Sequence, residues 1–87
     1  MPTAAPVARR PFVIFTYHRD ARGFAARALR AAGIVAEYRS VAALRHDGAP
    51  RCDATPRYLG EATDEEMARV LAHLTAADAY GVDAYHD

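Results

Sequence analysis

Cysteine, histidine and arginine are the side chains through which this 87-residue sequence could do chemistry. Its one cysteine, Cys52, stands beside Arg51 and close to Arg57, cations that favour a thiolate. A single cysteine excludes an internal disulfide and fits a reducing compartment. A lone loop cysteine is more often incidental than nucleophilic, so redox use of Cys52 is the minor reading. His46, Asp47, Cys52 and Asp53 could offer mixed ligands from one loop. They lack the paired Cys or His spacing of structural zinc sites, and no metal is expected. His18 and Asp20 are placed as an acid–base pair with no nucleophile beside them, and a capped loop is the simpler account. His73 falls near the border of a helix face, and His86 in the terminal stretch.

All eleven basic residues are arginine, and alanine occurs twenty-one times. Genomic base composition explains that bias without any function. The distribution is more informative. Residues 1–60 hold ten arginines against four acids, a balance of +6, and residues 61–87 hold one arginine against seven acids, a balance of −6. Such a dipole can orient toward an anionic partner, or the acidic part can face arginines of its own chain. At 100° per residue Arg22, Arg27 and Arg30 fall on one helix arc, with Arg19 adjacent if the first turn extends back that far. A solvated helix surface is the plain account. The functional account is a set of rigid multidentate donors for carboxylates or phosphates. Nucleic acid held this way would bind through its backbone with marked salt sensitivity. The chain is neutral overall and carries no helix-turn-helix, RNP or zinc-finger signature, and acidic residues of a protein partner suit the arginines equally.

These residues need elements to position them. The chain is 25% charged and 52% apolar, which excludes wholesale disorder, and its length suits one domain. No apolar run reaches the ~18 residues of a membrane span. The first ten residues lack the hydrophobic region of a secretory signal, and a cytoplasmic location is the expectation. Residues 1–10 read as a flexible tail, 11–80 as a single domain, and 81–87 as an acidic tail.

From Phe12 to Tyr17 the chain is apolar or β-branched at almost every step, as in a central parallel strand buried on both faces. Asp20 is placed to cap a helix from about Ala21 to Ala32 with its carboxylate, and Gly33 supplies a left-handed stop. Phe24, Ala25, Ala28, Leu29 and Ala32 share the inward arc. Gly23 costs ~1 kcal/mol relative to alanine, a sign that something approaches the backbone there. Ile34 to Val41 forms a second strand with Ile34, Ala36 and Tyr38 on one face, which completes a right-handed βαβ unit with parallel strands. Asp47-Gly48-Ala49-Pro50 is turn chemistry. Thr55 to Leu59 reads as a third strand with Pro56 at its start or on an edge. Thr63-Asp64-Glu65-Glu66 is a capping box, and it opens an amphipathic helix marked by Met67, Val70, Leu71 and Leu74.

In this order of strand, helix, strand, X-Pro strand and capped helix, residues 11–77 resemble a glutaredoxin and, more broadly, a thioredoxin-like protein. Phe12 to Tyr17 looks like the first strand leading to that family's active site. Ala28 to Ile34 is similar to its helix ending in glycine before the second strand. Ala54-Thr55-Pro56 sits where the family has its cis-proline loop, and Gly60 to Glu65 resembles the turn that opens the last helix and grips a glutathione carboxylate. The resemblance implies a minimal thioredoxin-like α/β domain, β-α-β-β-α, with a small three-stranded mixed sheet and two main helices. It also puts Asp20 and Gly23 where the Cys-x-x-Cys pair would stand, at a helix N-terminus that lowers a thiol pKa. Neither residue carries a thiol, so dithiol chemistry is excluded at that corner.

The resulting reading is a non-catalytic protein-binding module, or a small inhibitor or regulator of a protein complex. Its expected contact surface comprises Tyr17, His18, Arg19, Arg22, Arg27, Arg30, Thr55, Pro56 and Arg57, grouped where open α/β sheets bind ligands. The expected partner is another protein or a second copy of the chain, since a short sheet leaves surface to cover. The alternatives are nucleic-acid or ribonucleoprotein binding through the arginine face, and a monothiol glutaredoxin-like activity through Cys52. No cofactor, metal or membrane partner is expected.

Overall fold

The computed structural model describes residues 8–40 and 55–87. Residues 1–7 of the expected tail, the end of the expected second strand at Val41, and the stretch containing His46, Asp47, Cys52 and Asp53 lie outside the described residues.

The first strand, β1, spans Arg10–Thr16 and alternates along its length. Phe12, Ile14 and Thr16 are buried, while Val13 and Phe15 are only half-buried. Its continuous apolar run therefore does not mark a strand covered on both sides. One face meets the core, and the other carries apolar side chains that the described residues leave partly open.

Helix α1, Ala21–Ala31, buries Ala21, Ala25, Ala28 and Leu29. Arg22, Arg27 and Arg30 are exposed, as the helical projection expects. Gly33 ends the helix at φ +73°, with its N–H donating to the Arg30 carbonyl at 3.1 Å and the Ile34 N–H to the Leu29 carbonyl at 2.9 Å. That pair of bonds is a Schellman closure, and buried Ile34 and Leu29 supply its hydrophobic contact. Strand β2 is short, Glu37–Arg39, and β3 is Arg57–Ala62.

Helix α2, Asp64–Ala76, opens with the full capping box. The Glu66 N–H donates to Thr63 Oγ1 at 3.1 Å, and the Thr63 N–H donates to Glu66 Oε1 at 2.8 Å. The latter bond holds the Glu66 carboxyl below its ordinary value. Met67 and Val70 are buried and Leu74 packs against them, but Leu71 is 49% exposed, so the inward stripe is narrower than its i, i+3, i+4 spacing expects.

The last element overturns an expectation. Val82–His86 forms strand β4 and pairs antiparallel with β1 from Phe12↔His86 to Thr16↔Val82. These residues are no frayed tail. Val82 and Ala84 pack against the core while Asp83 and Tyr85 point away, a period-2 pattern hidden by its acids.

Among the described residues the four strands make one sheet in the order β2-β3-β1-β4, every neighbouring pair antiparallel. The expected three-stranded mixed sheet is corrected: β1 and β2 do run parallel, as the βαβ unit expects, but β3 lies between them and every hydrogen-bonded pair is antiparallel. Both edges of β1 are taken by β3 and β4, and β2 hydrogen-bonds to β3. Element order and strand order together are those of the split β-α-β, or ferredoxin-like, arrangement. Phe12, Ile14, Tyr58 and Ala62 from the sheet meet Ala25, Ala28 and Leu29 of α1 and Met67 and Val70 of α2 in one core. Among the described residues no helix is long and apolar enough to cross a membrane.

Candidate functional site

Two backbone hydrogen bonds and one from a side chain fix the loop between β1 and α1. The Thr16 N–H donates to the Pro56 carbonyl at 2.9 Å, and the Tyr17 N–H donates to the Gly81 carbonyl at 2.7 Å. The Thr16 hydroxyl also reaches the Pro56 carbonyl, at 3.1 Å. The Thr55-Pro56 segment and the turn before β4 thus clasp the end of β1 from opposite sides. None of the described peptide bonds is cis.

Asp20 does not cap α1 with its side chain. Its carboxylate accepts instead from the Tyr80 hydroxyl at 2.8 Å. That bond pushes the Tyr80 phenol up from its ordinary value, because the proton is held against a carboxylate. The Tyr80 ring stands edge-on to both His18 and Phe24, at 4.7 and 5.4 Å. His18 Nδ1 accepts from the Asp20 N–H at 3.2 Å, which places the proton of the neutral ring on Nε2. The imidazole therefore caps a loop amide, as the simpler account of the His18–Asp20 pair expects.

The clasp leaves an open cleft of about 430 Å³ lined by Thr16, Tyr17, His18, Arg19, Arg22, Tyr38, Thr55 and Pro56. Among the described residues its lining holds two guanidinium groups and an imidazole with no carboxylate. The Arg22 guanidinium lies 4.0 Å from the centroid of the Tyr38 ring, and Tyr38 leans on the buried Tyr58 ring at 4.9 Å. A cation stacked on an aromatic face keeps its N–H donors in the guanidinium plane free for an anion. Tyr17 forms the rim, and its partial burial, followed by the charge of Asp83, pushes its phenol up.

Six of the nine expected contact residues, Tyr17, His18, Arg19, Arg22, Thr55 and Pro56, line this one cleft. Arg57 stands beside it, donating to the Thr55 carbonyl at 3.4 Å. Arg27 and Arg30 are elsewhere. The Arg27 guanidinium covers the Phe24 ring at 5.5 Å, and Arg30 borders a shallow depression with Leu29, Val35 and Tyr58. The arginines of α1 therefore do not act as one face. Tyr38 and Thr16 are the residues the sequence reading left out. The alternation Ile34, Ala36, Tyr38 places Tyr38 toward the helix side, where it can meet Arg22.

Asp20 is the N-cap residue of α1 and Gly23 lies in its first turn, and neither supplies a thiol there. Among the described residues a Cβ on Gly23 would meet only the Arg27 guanidinium, at 3.5 Å, and no described backbone approaches that glycine closely. Comparison of the chain with protein-family models, with curated proteins and with solved structures finds no match.

Proposed function

We propose that this chain is a non-catalytic protein-binding module that receives an acidic segment of a partner protein in the cleft between the β1–α1 loop and Thr55-Pro56. The observation that carries the reading is the lining, which Arg19, Arg22 and His18 share with no carboxylate among the described residues, the Asp20 carboxylate lying behind His18 at 3.7 Å from its Nδ1 and engaged by the Tyr80 hydroxyl. Arg22 is oriented by Tyr38, so less side-chain freedom is lost when an anion is bound. A carboxylate meets such a guanidinium through paired N–H···O bonds. The reading rests on that geometry and does not require a thioredoxin-like ancestry.

Dispersal of the arginines favours a protein over nucleic acid. A phosphate backbone is held by a continuous basic track, whereas Arg27 and Arg30 diverge from Arg19 and Arg22. The test is retention of a native partner by the tagged chain, compared with an Arg19→Glu/Arg22→Glu variant and an Arg27→Glu/Arg30→Glu variant. The first should abolish retention and the second should leave it. Equal loss from both, or a retained species sensitive to nuclease, contradicts the proposal.

A further inference from the structure

Antiparallel sheets with one open face carry polar side chains there as a rule. This sheet departs from it. On the side away from the helices, Val13 of β1 stands between Leu59 of β3 and Tyr85 of β4, and Phe15 stands between Arg57 and Asp83. Phe15 stacks with Tyr17 at 5.9 Å and meets the Tyr85 ring edge-on at 5.8 Å. Tyr85 is 56% exposed. A second, mostly apolar hollow of about 510 Å³ opens on the same side, bordered by Pro11, Val13, Leu59 and Tyr85. The centre of the face is thus apolar and aromatic, and no described element packs on it.

The flanks of that centre differ in sign. In the Phe15 row the β3 side carries Arg57, followed by Arg39 on β2, and the β4 side carries Asp83. Among the described residues neither Arg57 nor Asp83 has an ion-pair partner, whereas Arg39 is paired with Glu37 at 3.2 Å. A face with a cation on one side of an apolar centre line and an anion on the other is complementary to itself. Turned about an axis lying along β1, each row meets its own mirror order. Phe15 then faces Phe15, Val13 faces Val13, Leu59 faces Tyr85, and Arg57 faces Asp83 twice over.

We propose that a second copy of this chain covers this sheet face, β1 lying over β1 about that two-fold axis, with Arg57 of each copy paired to Asp83 of the other. Sheets packed this way lie about 10 Å apart with their strands nearly aligned, close enough for the four apolar side chains to interdigitate. The contact is isologous, as most homodimer interfaces are. It is distinct from the Arg19–Arg22 cleft, with Tyr17 and Arg57 bordering both. Single-stranded nucleic acid also stacks on aromatic sheet faces. Here Glu37, Glu61 and Asp83, with Asp87 at the margin, outnumber Arg39 and Arg57, so the face repels a phosphate backbone. One row opposes the dimer too. Glu61 of one copy comes opposite Asp87 of the other, at the exposed end of the sheet, and Glu61→Arg should tighten the association.

The experiment is sedimentation velocity on the full chain from low-micromolar to near-millimolar concentration, with circular dichroism to confirm that each variant is folded. The expected species has twice the 9.5 kDa chain mass. Phe15→Glu should leave a folded monomer. Arg57→Asp and Asp83→Arg should each weaken the dimer by roughly tenfold or more, as buried charge pairs do, and the double reversal should restore most of the loss. A chain that stays monomeric throughout overturns the proposal, as does a dimer indifferent to Phe15→Glu. A double reversal that restores nothing overturns the two-fold arrangement. Binding of a labelled single-stranded oligonucleotide to a monomer, lost in Phe15→Glu, would assign the face to nucleic acid and overturn it as well.

Discussion

The Arg22 guanidinium lies 4.0 Å above the ring of Tyr38, joining the first turn of α1 to β2 across the mouth of the cleft. Arg22 belongs to a helix face that a sequence projection assigns to solvent, and the ring beneath it converts a mobile charge into an aimed one. Contacts of this kind are worth about 0.5–1 kcal/mol at an exposed site, a small part of domain stability but enough to bias one rotamer. Tyr38→Ala should therefore leave the far-ultraviolet circular dichroism spectrum unchanged while lowering partner retention several-fold, and Tyr38→Phe should retain binding. Loss of binding in the phenylalanine variant would implicate the hydroxyl instead.

Gly81 is the residue on which the closure of β4 against the β1–α1 loop depends. It sits at φ +71°, and a Cβ there would lie 2.6 Å from the His18 Cβ and 3.1 Å from the His18 backbone nitrogen. Gly81→Ala combines a left-handed backbone with a backbone clash, and should cost roughly 1–3 kcal/mol in urea unfolding. Gly23→Ala is the opposite case, a helical glycine with room beside it. It should stabilise the fold by about 0.5–1 kcal/mol.

Asp78 occupies the left-handed position after α2 at φ +52°, with its N–H bonded to the Thr75 carbonyl and the Ala79 N–H to the Leu74 carbonyl. This is the same closure that Gly33 makes after α1, built with a residue that bears a Cβ and a negative charge at a helix C-terminus. Asp78→Gly should raise stability by about 1 kcal/mol, through relief of the left-handed backbone and of the unfavourable charge. Thermal denaturation checks it, and an unchanged midpoint would contradict the assignment.

The capping box of α2 gives the fold a pH dependence of known sign. The Thr63 N–H holds the Glu66 carboxyl below its ordinary value of 4.5, and the Arg10 guanidinium beside Asp64 holds that carboxyl below its ordinary 3.8. Both groups bind fewer protons folded than unfolded in this range. Their contribution is complete above the ordinary carboxylate values and is lost as pH falls through the lowered ones. Acid unfolding of Glu66→Gln should therefore depend less on pH below 4.5 than that of the parent chain. Thr63→Ala should cost about 1 kcal/mol at neutral pH.

Much of this architecture is legible in the residues. Gly33 stops α1, Thr63 and Glu66 open α2, and the alanine stripe of α1 faces inward, because each is a local effect of backbone geometry or helical period. What could not be read is pairing. β2 shows three paired residues, too few for the sequence to declare whether its neighbour is β1 or β3. β4 was obscured by composition, since Asp83 and the terminal acids resemble a solvated tail although Val82, Ala84 and His86 alternate inward. β1 misled in the other direction. Its second apolar face, Val13 and Phe15, suggests burial within a layered sheet, and the described fold leaves it open. In the cleft, Arg19 and Arg22 followed from the helix projection, whereas Tyr38 depends on how a strand distant from β1 is carried beneath α1.

The cleft's role is tested most directly by site-specific photo-crosslinking in the native host. The crosslinking amino acid would replace Tyr17 at the cleft rim in one construction and Arg27, away from the cleft, in another. The account predicts from position 17 one adduct with a different protein, told by its mass from two crosslinked copies of this chain, absent when Arg19→Glu and Arg22→Glu are added, and none from position 27. Equal adducts with another protein from both positions, or one at position 17 that survives the charge reversals, would contradict it.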